Sequence, residues 1–573
     1  MIPGLEGRFT RHDVLAFELL GILLLLAWYW PLCGDRFITL IERWGSRLSA
    51  HRMASVLLIA FLLIVKRLAL LPIDPIPLPA IHDEFSYLLA GDTYAHWRLS
   101  NPAHPLWMFF EFAHVNMLPT YMSKYPPAQG LALALGQWLG HPWFGVLLSV
   151  AAMCAAITWM LQGWMPSRWA LLGGLLAATR FLVSAGKSMN YWLESYWGGA
   201  MTAIGGALAL GALPRLMRRR KPADAVLFGL GIAILANSRP YEGFVFCMPL
   251  GAAIVWWLLR GRAAGDVAVR WKALFPLAAV LALTAAFMAW NNWRVTGNAL
   301  LFPYLVNDRA YVSTPHFAWQ ALGPPRDIRN PQMADIFNVW CRDVWQRDRF
   351  AWTANGIQWG LLHKLDALRE FYFPLEFLLP VALACCCLLR NRKALALLAV
   401  CAWTSLGLIP VVWFQRHYAA AMTAAAIALS LMGLRFLRNW RPRGRPVGIG
   451  LTRAVVAFHL LLAPLNIALA WTGAGIQNAA PNWVRERASI ERDLAARPGP
   501  QLAIIRYAPD HNSLQQWGSN AADIDHAKIV WAQEIPGLDV SPLLRYFHGR
   551  TIWLVQPDAH PISVTPYPEP KKE

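Results

Sequence analysis

Charge of either sign is sparse in this chain: 15% of its 573 residues are Asp, Glu, Lys or Arg, while 57% are hydrophobic, with 30 Trp and 26 Phe among them. So little charge excludes a soluble array of domains and leaves a polytopic membrane protein. Acidic residues are the scarcer sign, 33 against 52 Lys plus Arg. Nucleic-acid binding is one use for such an excess, but the basic residues fall in short clusters between apolar spans rather than along one polar face. That excludes a nucleic-acid partner and marks the clusters as topology signals. No Rossmann fingerprint and no Gly-rich phosphate loop occurs, so no nucleotide site of either kind is expected. The eight cysteines are Cys33, Cys154, Cys247, Cys341, Cys385, Cys386, Cys387 and Cys401, and all but Cys341 lie in or at the edge of apolar runs. Their spacing offers neither a disulfide framework nor a zinc site. The first apolar run, 14 to 33, lacks a small-residue cleavage site and is read as retained. There is no internal repeat, and no low-complexity tract beyond the proline-rich end.

About twelve apolar segments approach the ~20 helical residues that a bilayer core requires. They lie near 14 to 33, 53 to 73, 143 to 162, 167 to 185, 199 to 216, 223 to 240, 241 to 260, 272 to 293, 374 to 391, 393 to 413, 416 to 437 and 453 to 473. The basic loops 215 to 224, 260 to 272, 390 to 393 and 435 to 446 all fall on one side of that count, which the positive-inside rule makes cytoplasmic. Loop 35 to 52 is also basic and falls there too, which puts the short N-terminus outside, although Arg8 and Arg11 argue the other way. The long mixed segments 74 to 142 and 294 to 373, and the tail 474 to 573, come out on the opposite face. The expected organisation is a mainly α, polytopic helical bundle over 1 to 473, followed by a small extracytoplasmic α/β domain over 474 to 573. In that tail a helix over 482 to 497 precedes short buried strands in "QLAIIRYAPDHN" and "RTIWLVQPD".

Candidate chemistry gathers in the outer loops. In "HDEFSYLLAGD" the prolines of "LALLPIDPIPLPA" stop the preceding helix and hold Asp83 and Glu84 close to the membrane surface. On a helix Asp83 and Tyr87 share a face, and Glu84 points about 100° away. One acid can then face a site while the other braces the loop. The bland alternative is a solvated pair at a helix N-terminus, where negative charge is favoured. In "SKYPPAQG", Lys124 on a stiff Tyr125-Pro-Pro turn suits a phosphate at headgroup level, or else it snorkels. Arg239 and Glu242 in "NSRPYEGF", and Arg416, His417 and Tyr418 in "FQRHYAA", emerge on the outer side against the inside bias. Charges at membrane depth are costly, on the order of 2.5 to 3.5 kcal/mol, and tend to line cavities. Arg180 and the pair Lys66 and Arg67 pose the same question, and snorkelling to the interface is the expected answer for the pair. Glu194 lies in the aromatic turn "NYWLESYWGG", which either stacks on a sugar or belongs to an interfacial belt. His82, His96, His104 and His114 share the first outer loop without any metal-motif spacing, so a divalent ion is possible but has no spacing to support it.

"HDEFSYLLAGD", then "KYPPAQGLALALG", then a late "RHYAA" opening an apolar helix together resemble the GT-C fold glycosyltransferases that use lipid-linked sugars. The likeness is to the branch of protein O-mannosyltransferases and lipid A aminoarabinose transferases. It implies catalytic roles for Asp83 and Glu84. It also implies substrate-binding roles for Tyr87 and Lys124, and for Arg416 and Tyr418 as the late Arg/Lys-x-Tyr turn. Two departures stand out: the aminoarabinose transferases have Arg where this chain has Ser86, and Glu where it has Ser123. Tyr125 is also interposed between the lysine and the prolines.

The resulting expectation is an inverting transfer of a sugar from a polyprenyl-phosphate donor to a hydroxyl of an extracytoplasmic acceptor. It would take place at a multi-pass protein of the bacterial inner membrane, with the active site facing the periplasm. Asp83 would serve as general base, and Lys124, Arg239 and Arg416 would stabilise the leaving phosphate. The rivals are a ligase or polymerase using a diphosphate donor, a transporter or flippase, and a non-catalytic assembly factor. A transporter predicts paired discontinuous helices and inverted repeats, which are not found in the sequence.

Overall fold

The computed structural model describes residues 11–180, 192–260, 264–383, 389–471 and 480–568. Cys385, Cys386 and Cys387, and the ends of the spans expected at 167 to 185 and 453 to 473, lie outside these residues. The remaining five cysteines carry free thiols.

The chain is mainly helical. It opens with α1 (Arg11–Tyr29), α2 (Asp35–Ala50) and α3 (Arg52–Ala69), then α4 (His82–Ala95), α5 (Pro127–Trp138), α6 (Pro142–Trp164) and α7 (Ser167–Arg180). The middle third holds α8 (Gly199–Arg219), α9 (Pro222–Ala236), α10 (Pro240–Leu259), α11 (Ala264–Thr296) and α12 (Pro303–Tyr311). After a set of short helical turns come α13 (Leu375–Leu383), α14 (Arg392–Leu408), α15 (Thr423–Arg438) and α16 (Val447–Trp471). Proline in the first turn of α5, α6, α9, α10 and α12 starts these helices where a backbone N–H would be unpaired anyway.

Five helices among the described residues are long and apolar enough to cross a membrane, or six if a bent pair is one span. Three more, Leu15–Tyr29, Pro222–Ala236 and Val447–Leu462, are apolar but shorter. The chain is therefore multi-pass, while twelve full spans are not established. Loop 35 to 52 is instead mostly α2, an amphipathic helix meeting α3 at a bend of 114°. Its polar face explains the misreading, since Asp35 and Glu42 bind Arg453 at 2.8 and 3.2 Å. Arg445 donates to the carbonyls of Trp28 and Tyr29, so the end of α1 meets the basic loop 435 to 446.

The first outer loop forms a small sheet in which β1 (Asn101–Pro102) and β2 (Val115–Asn116) flank β3 (Thr120–Ser123). In the tail, α17 (Asn482–Ala496) precedes a four-stranded sheet of order β5-β4-β6-β7. Its strands are β4 (Gln501–Ile505), β5 (Ile529–Gln533), β6 (Thr551–Gln556) and β7 (Ser563–Pro566); β4 is parallel to β5 and β6, and β7 is antiparallel. Alternation puts Leu502 and Ile504 on one face, in a core with Phe85, Leu89 and Phe110 of the first loop. Ala503 and Ile505 pack oppositely with Leu494 of α17 and Trp531. Arg487 of α17 reaches the carbonyl of Pro79 at 2.6 Å and lies over the Phe85 ring. The tail is thus seated directly against α4.

Candidate functional site

α4 begins at the proline neck, and its first turn sorts the two carboxylates. Glu84 is buried and turns back on the backbone, accepting from the N–H groups of Ala80 and Ile81 at 2.8 and 3.1 Å and from that of Tyr196 at 3.0 Å. Burial lifts its pKa to about 7 against the pull of those three donors. It is a brace that ties the neck and the 192–198 turn to α4. Asp83, one residue earlier, faces away and keeps its side chain about one-third exposed. Tyr125 donates its hydroxyl to Asp83 Oδ1. Burial would raise the pKa of Asp83, but any positive charge on His114, the Tyr125 hydrogen bond and the Lys124 ammonium oppose it and hold the acid below its ordinary value. Asp83 is therefore a permanent anion at physiological pH.

Tyr87, one turn along α4, stacks on Tyr125 with ring centroids 4.3 Å apart. Burial raises both phenols above their ordinary value, so they remain donors. The hairpin of β2 and β3 then brings in the far end of the loop. Val115 pairs with Ser123, and the N–H of Lys124 bonds the carbonyl of His114 at 3.2 Å. His114 sits at φ 68°, in the left-handed region that few non-glycine residues adopt. Its Nε2 lies 3.9 Å from Asp83 Oδ2, and its ring meets that of His82 edge-on at 5.6 Å.

The ligating atoms of His82, Asp83 and His114 all lie within 4.8 Å of one another. His82 Nε2 and His114 Nδ1 are buried and have no hydrogen-bond partner among the described residues. Burial keeps both rings below their ordinary pKa and so neutral, the form that binds metal. Two bonds of about 2 Å cap the separation of two ligand atoms near 4 Å, so the cluster fits a divalent ion after closing by less than about 1 Å. Sequence spacing concealed the set, because 30 residues lie between Asp83 and His114.

A second wall is cationic. Arg239, at the start of α10, lies 4.0 Å over the Tyr418 ring, pairs with Glu242 at 3.6 Å and donates to His417 Nε2. Its Nε is buried and unpartnered. His417 stacks on Trp197, and both His417 and Tyr418 lie within electrostatic reach of Asp83. Lys124 completes this side, its ammonium 5.4 Å from the Tyr125 ring.

Two candidates are engaged elsewhere. Arg416 pairs with Glu370 through Nη2 at 3.3 Å, while its Nη1 is buried without a hydrogen-bond partner among the described residues. Glu194 pairs at 3.1 Å with Arg67, which is fully buried and also bonds the carbonyls of Asp74 and Pro75. Snorkelling, the expectation for Arg67, is thus replaced by an internal strut, because polar partners were available closer than the interface. Arg180 is likewise buried, with its guanidinium on the carbonyl of Phe371. The two serine departures touch each other: Ser86 Oγ lies 2.8 Å from Ser123 Oγ and donates to the carbonyl of His114 at 2.6 Å.

No family model matches the chain, and no curated protein sequence matches it. Among solved structures it is similar to the Archaeoglobus fulgidus oligosaccharyltransferase in complex with Zn and sulfate. The TM-score is 0.47 at 13% identity, over 87% of this chain and 67% of that one. It is also similar to the same organism's oligosaccharyltransferase AglB with an inhibitory peptide and a dolichol-phosphate, at TM-score 0.44 and 13% identity, over 80% and 62% of the two chains. The chain thus spans about two thirds of the length of these transferases, and likeness at this level assigns no activity.

Proposed function

We propose that the protein is a membrane-embedded inverting glycosyltransferase that moves a sugar from a polyprenyl monophosphate to a hydroxyl of an acceptor outside the cytoplasm. The observation that carries this reading is the carboxylate of Asp83 within electrostatic reach of Lys124, with Arg239 beside it across the shared neighbours Tyr87 and Tyr418. The acceptor oxygen attacks the anomeric carbon, and its proton passes to Asp83 Oδ2, the oxygen left over by Tyr125. The bond from the anomeric carbon to the phosphate oxygen breaks, and its electron pair leaves with the lipid phosphate. Lys124 and the spare Nε of Arg239 stabilise that developing charge. Tyr87 and Tyr125 fix the carboxylate, a positioning role on which general-base catalysis of about 10² to 10⁴-fold depends. His417 and Tyr418 hold Arg239 in place, and Glu84 holds the loop. His82, Asp83 and His114 would hold a divalent ion, which when bound supplies Lewis-acid polarisation at the phosphate or the acceptor oxygen.

The test is to incubate the purified protein with a polyprenyl-monophosphate-linked sugar and an envelope extract, and to follow release of polyprenyl monophosphate. Release coupled to sugar incorporation supports the reading. A strict requirement for a diphosphate donor would move the protein to the ligase or polymerase class.

A further inference from the structure

α15, which follows the turn of His417 and Tyr418, ends in a second charged site. α6 has 23 residues and so is about 35 Å long. It starts next to the 192–198 turn, where Trp143 Nε1 bonds the carbonyl of Leu193, and finishes at Trp164 in an open basin of about 800 Å³. The start of α3, the ends of α8 and α15 and the start of α14 meet α6 there. They contribute Arg52, Arg218, Arg435, Arg392 and Lys393. No carboxylate is among the described residues that line the basin.

These cations are not equivalent. Arg218 and Lys393 close on the carbonyls of Gly163 and Trp164, at 2.9 and 3.3 Å. Arg52, Arg392 and Arg435 make no ion pair or side-chain hydrogen bond among the described residues, although α2, close by, offers Glu42 to Arg438 and Arg453. Asn391 is consumed by its own helix, accepting from Lys393 N and Ala394 N. The basin thus presents three guanidinium forks that come from three different helices and share no acid. Such forks suit the planar oxygen pairs of phosphate. Trp164, Trp169 and Phe436 line the same basin, as an interfacial aromatic rim does around a lipid.

We infer that this basin binds the headgroup of an anionic phospholipid carrying two phosphates, on the face of the bundle opposite Asp83. A volume of about 800 Å³ and three separated forks are more than one phosphate occupies. Basic pockets between membrane helices are where doubly charged headgroups lodge. A soluble polyphosphate shares the oxyanion chemistry, so the experiment separates the two sources.

The full chain in detergent is titrated with diphosphatidylglycerol, phosphatidylcholine and inorganic pyrophosphate, and the complexes are read by native mass spectrometry. Diphosphatidylglycerol is expected to be retained at least about tenfold more tightly than phosphatidylcholine. An R392Q/R435Q double variant should lose about 20-fold, at about fivefold per guanidinium. A lipid-free melting temperature equal to that of the wild type shows that the double variant folds; if it does not fold, Arg52→Gln on α3 makes the same test with about a fivefold loss. Unchanged lipid affinity in a folded variant overturns the inference. Pyrophosphate that binds as tightly as the lipid and displaces it overturns the lipid assignment and makes this a soluble-anion site.

Discussion

Two charged clusters sit at the end of α3 and the start of α4, and they differ in how much of their hydrogen-bonding capacity is spent. Around Arg67, the guanidinium is fully buried, with Nη1 and Nη2 on Glu194 and the carbonyls of Asp74 and Pro75, the Trp143 ring beneath it, and Nε alone without a partner among the described residues. Around Asp83, donors and acceptors are left over: Oδ2 of the acid, one nitrogen each of His82 and His114, and Nε of Arg239. Burying polar atoms without partners is costly. The Arg67 cluster leaves one nitrogen unspent, whereas around Asp83 unspent atoms of an acid, two imidazoles and a guanidinium gather. Charge at membrane depth therefore does not by itself mark a site, and neither does one unpartnered atom; the gathering of several does.

Breaking the Arg67 cluster should show in stability. Arg67→Met strands the Glu194 carboxylate and is expected to cost about 3 to 5 kcal/mol, whereas R67M/E194M should recover much of it. Thermal unfolding in detergent measures both, and transfer per folded molecule should hold. A double variant no more stable than the single would mean that Arg67 is not a strut. In the Asp83 cluster, Arg239→Gln removes a charged donor to the leaving phosphate, worth about 1.5 to 3 kcal/mol, so transfer should fall roughly 10 to 150-fold. Arg416→Gln, whose guanidinium is on Glu370, should stay within about threefold. Equal losses would return Arg416 to the site. Glu84→Gln sets an amide N–H₂ against one of its backbone donors and is expected to cost about 1 to 3 kcal/mol in melting experiments, with transfer per folded molecule little changed. The smallest effect on the fold is expected from His114→Ala, which should lower bound divalent metal, measured by elemental mass spectrometry, without shifting the melting temperature by more than about 2 °C. Equal metal content in wild type and variant would remove the ion from the cluster.

Much of this was readable before the structure, where local geometry decides. The unequal roles of Asp83 and Glu84 follow from 100° per residue on a helix, and the apolar runs place most helices within a few residues. The spatial triad of His82, Asp83 and His114 was not readable, because it depends on how a hairpin folds a loop over α4, and no short spacing encodes that. Arg67 was misread because snorkelling considers only the helix and the membrane, not the partners that tertiary structure brings. α2 was read as a loop because its polar face, which binds Arg453, broke up the apolar run. Ser86 and Ser123 were read as separate positions, and their 2.8 Å contact across the hairpin was not legible in the sequence.

The most direct test of the account is Asp83→Asn in the purified protein, with transfer and donor-lipid binding measured side by side. The substitution keeps the shape of the side chain and removes its charge. Transfer should fall by about 10² to 10⁴-fold while the polyprenyl-phosphate sugar still binds at Lys124 and Arg239. Undiminished transfer by a folded Asp83→Asn protein would contradict it.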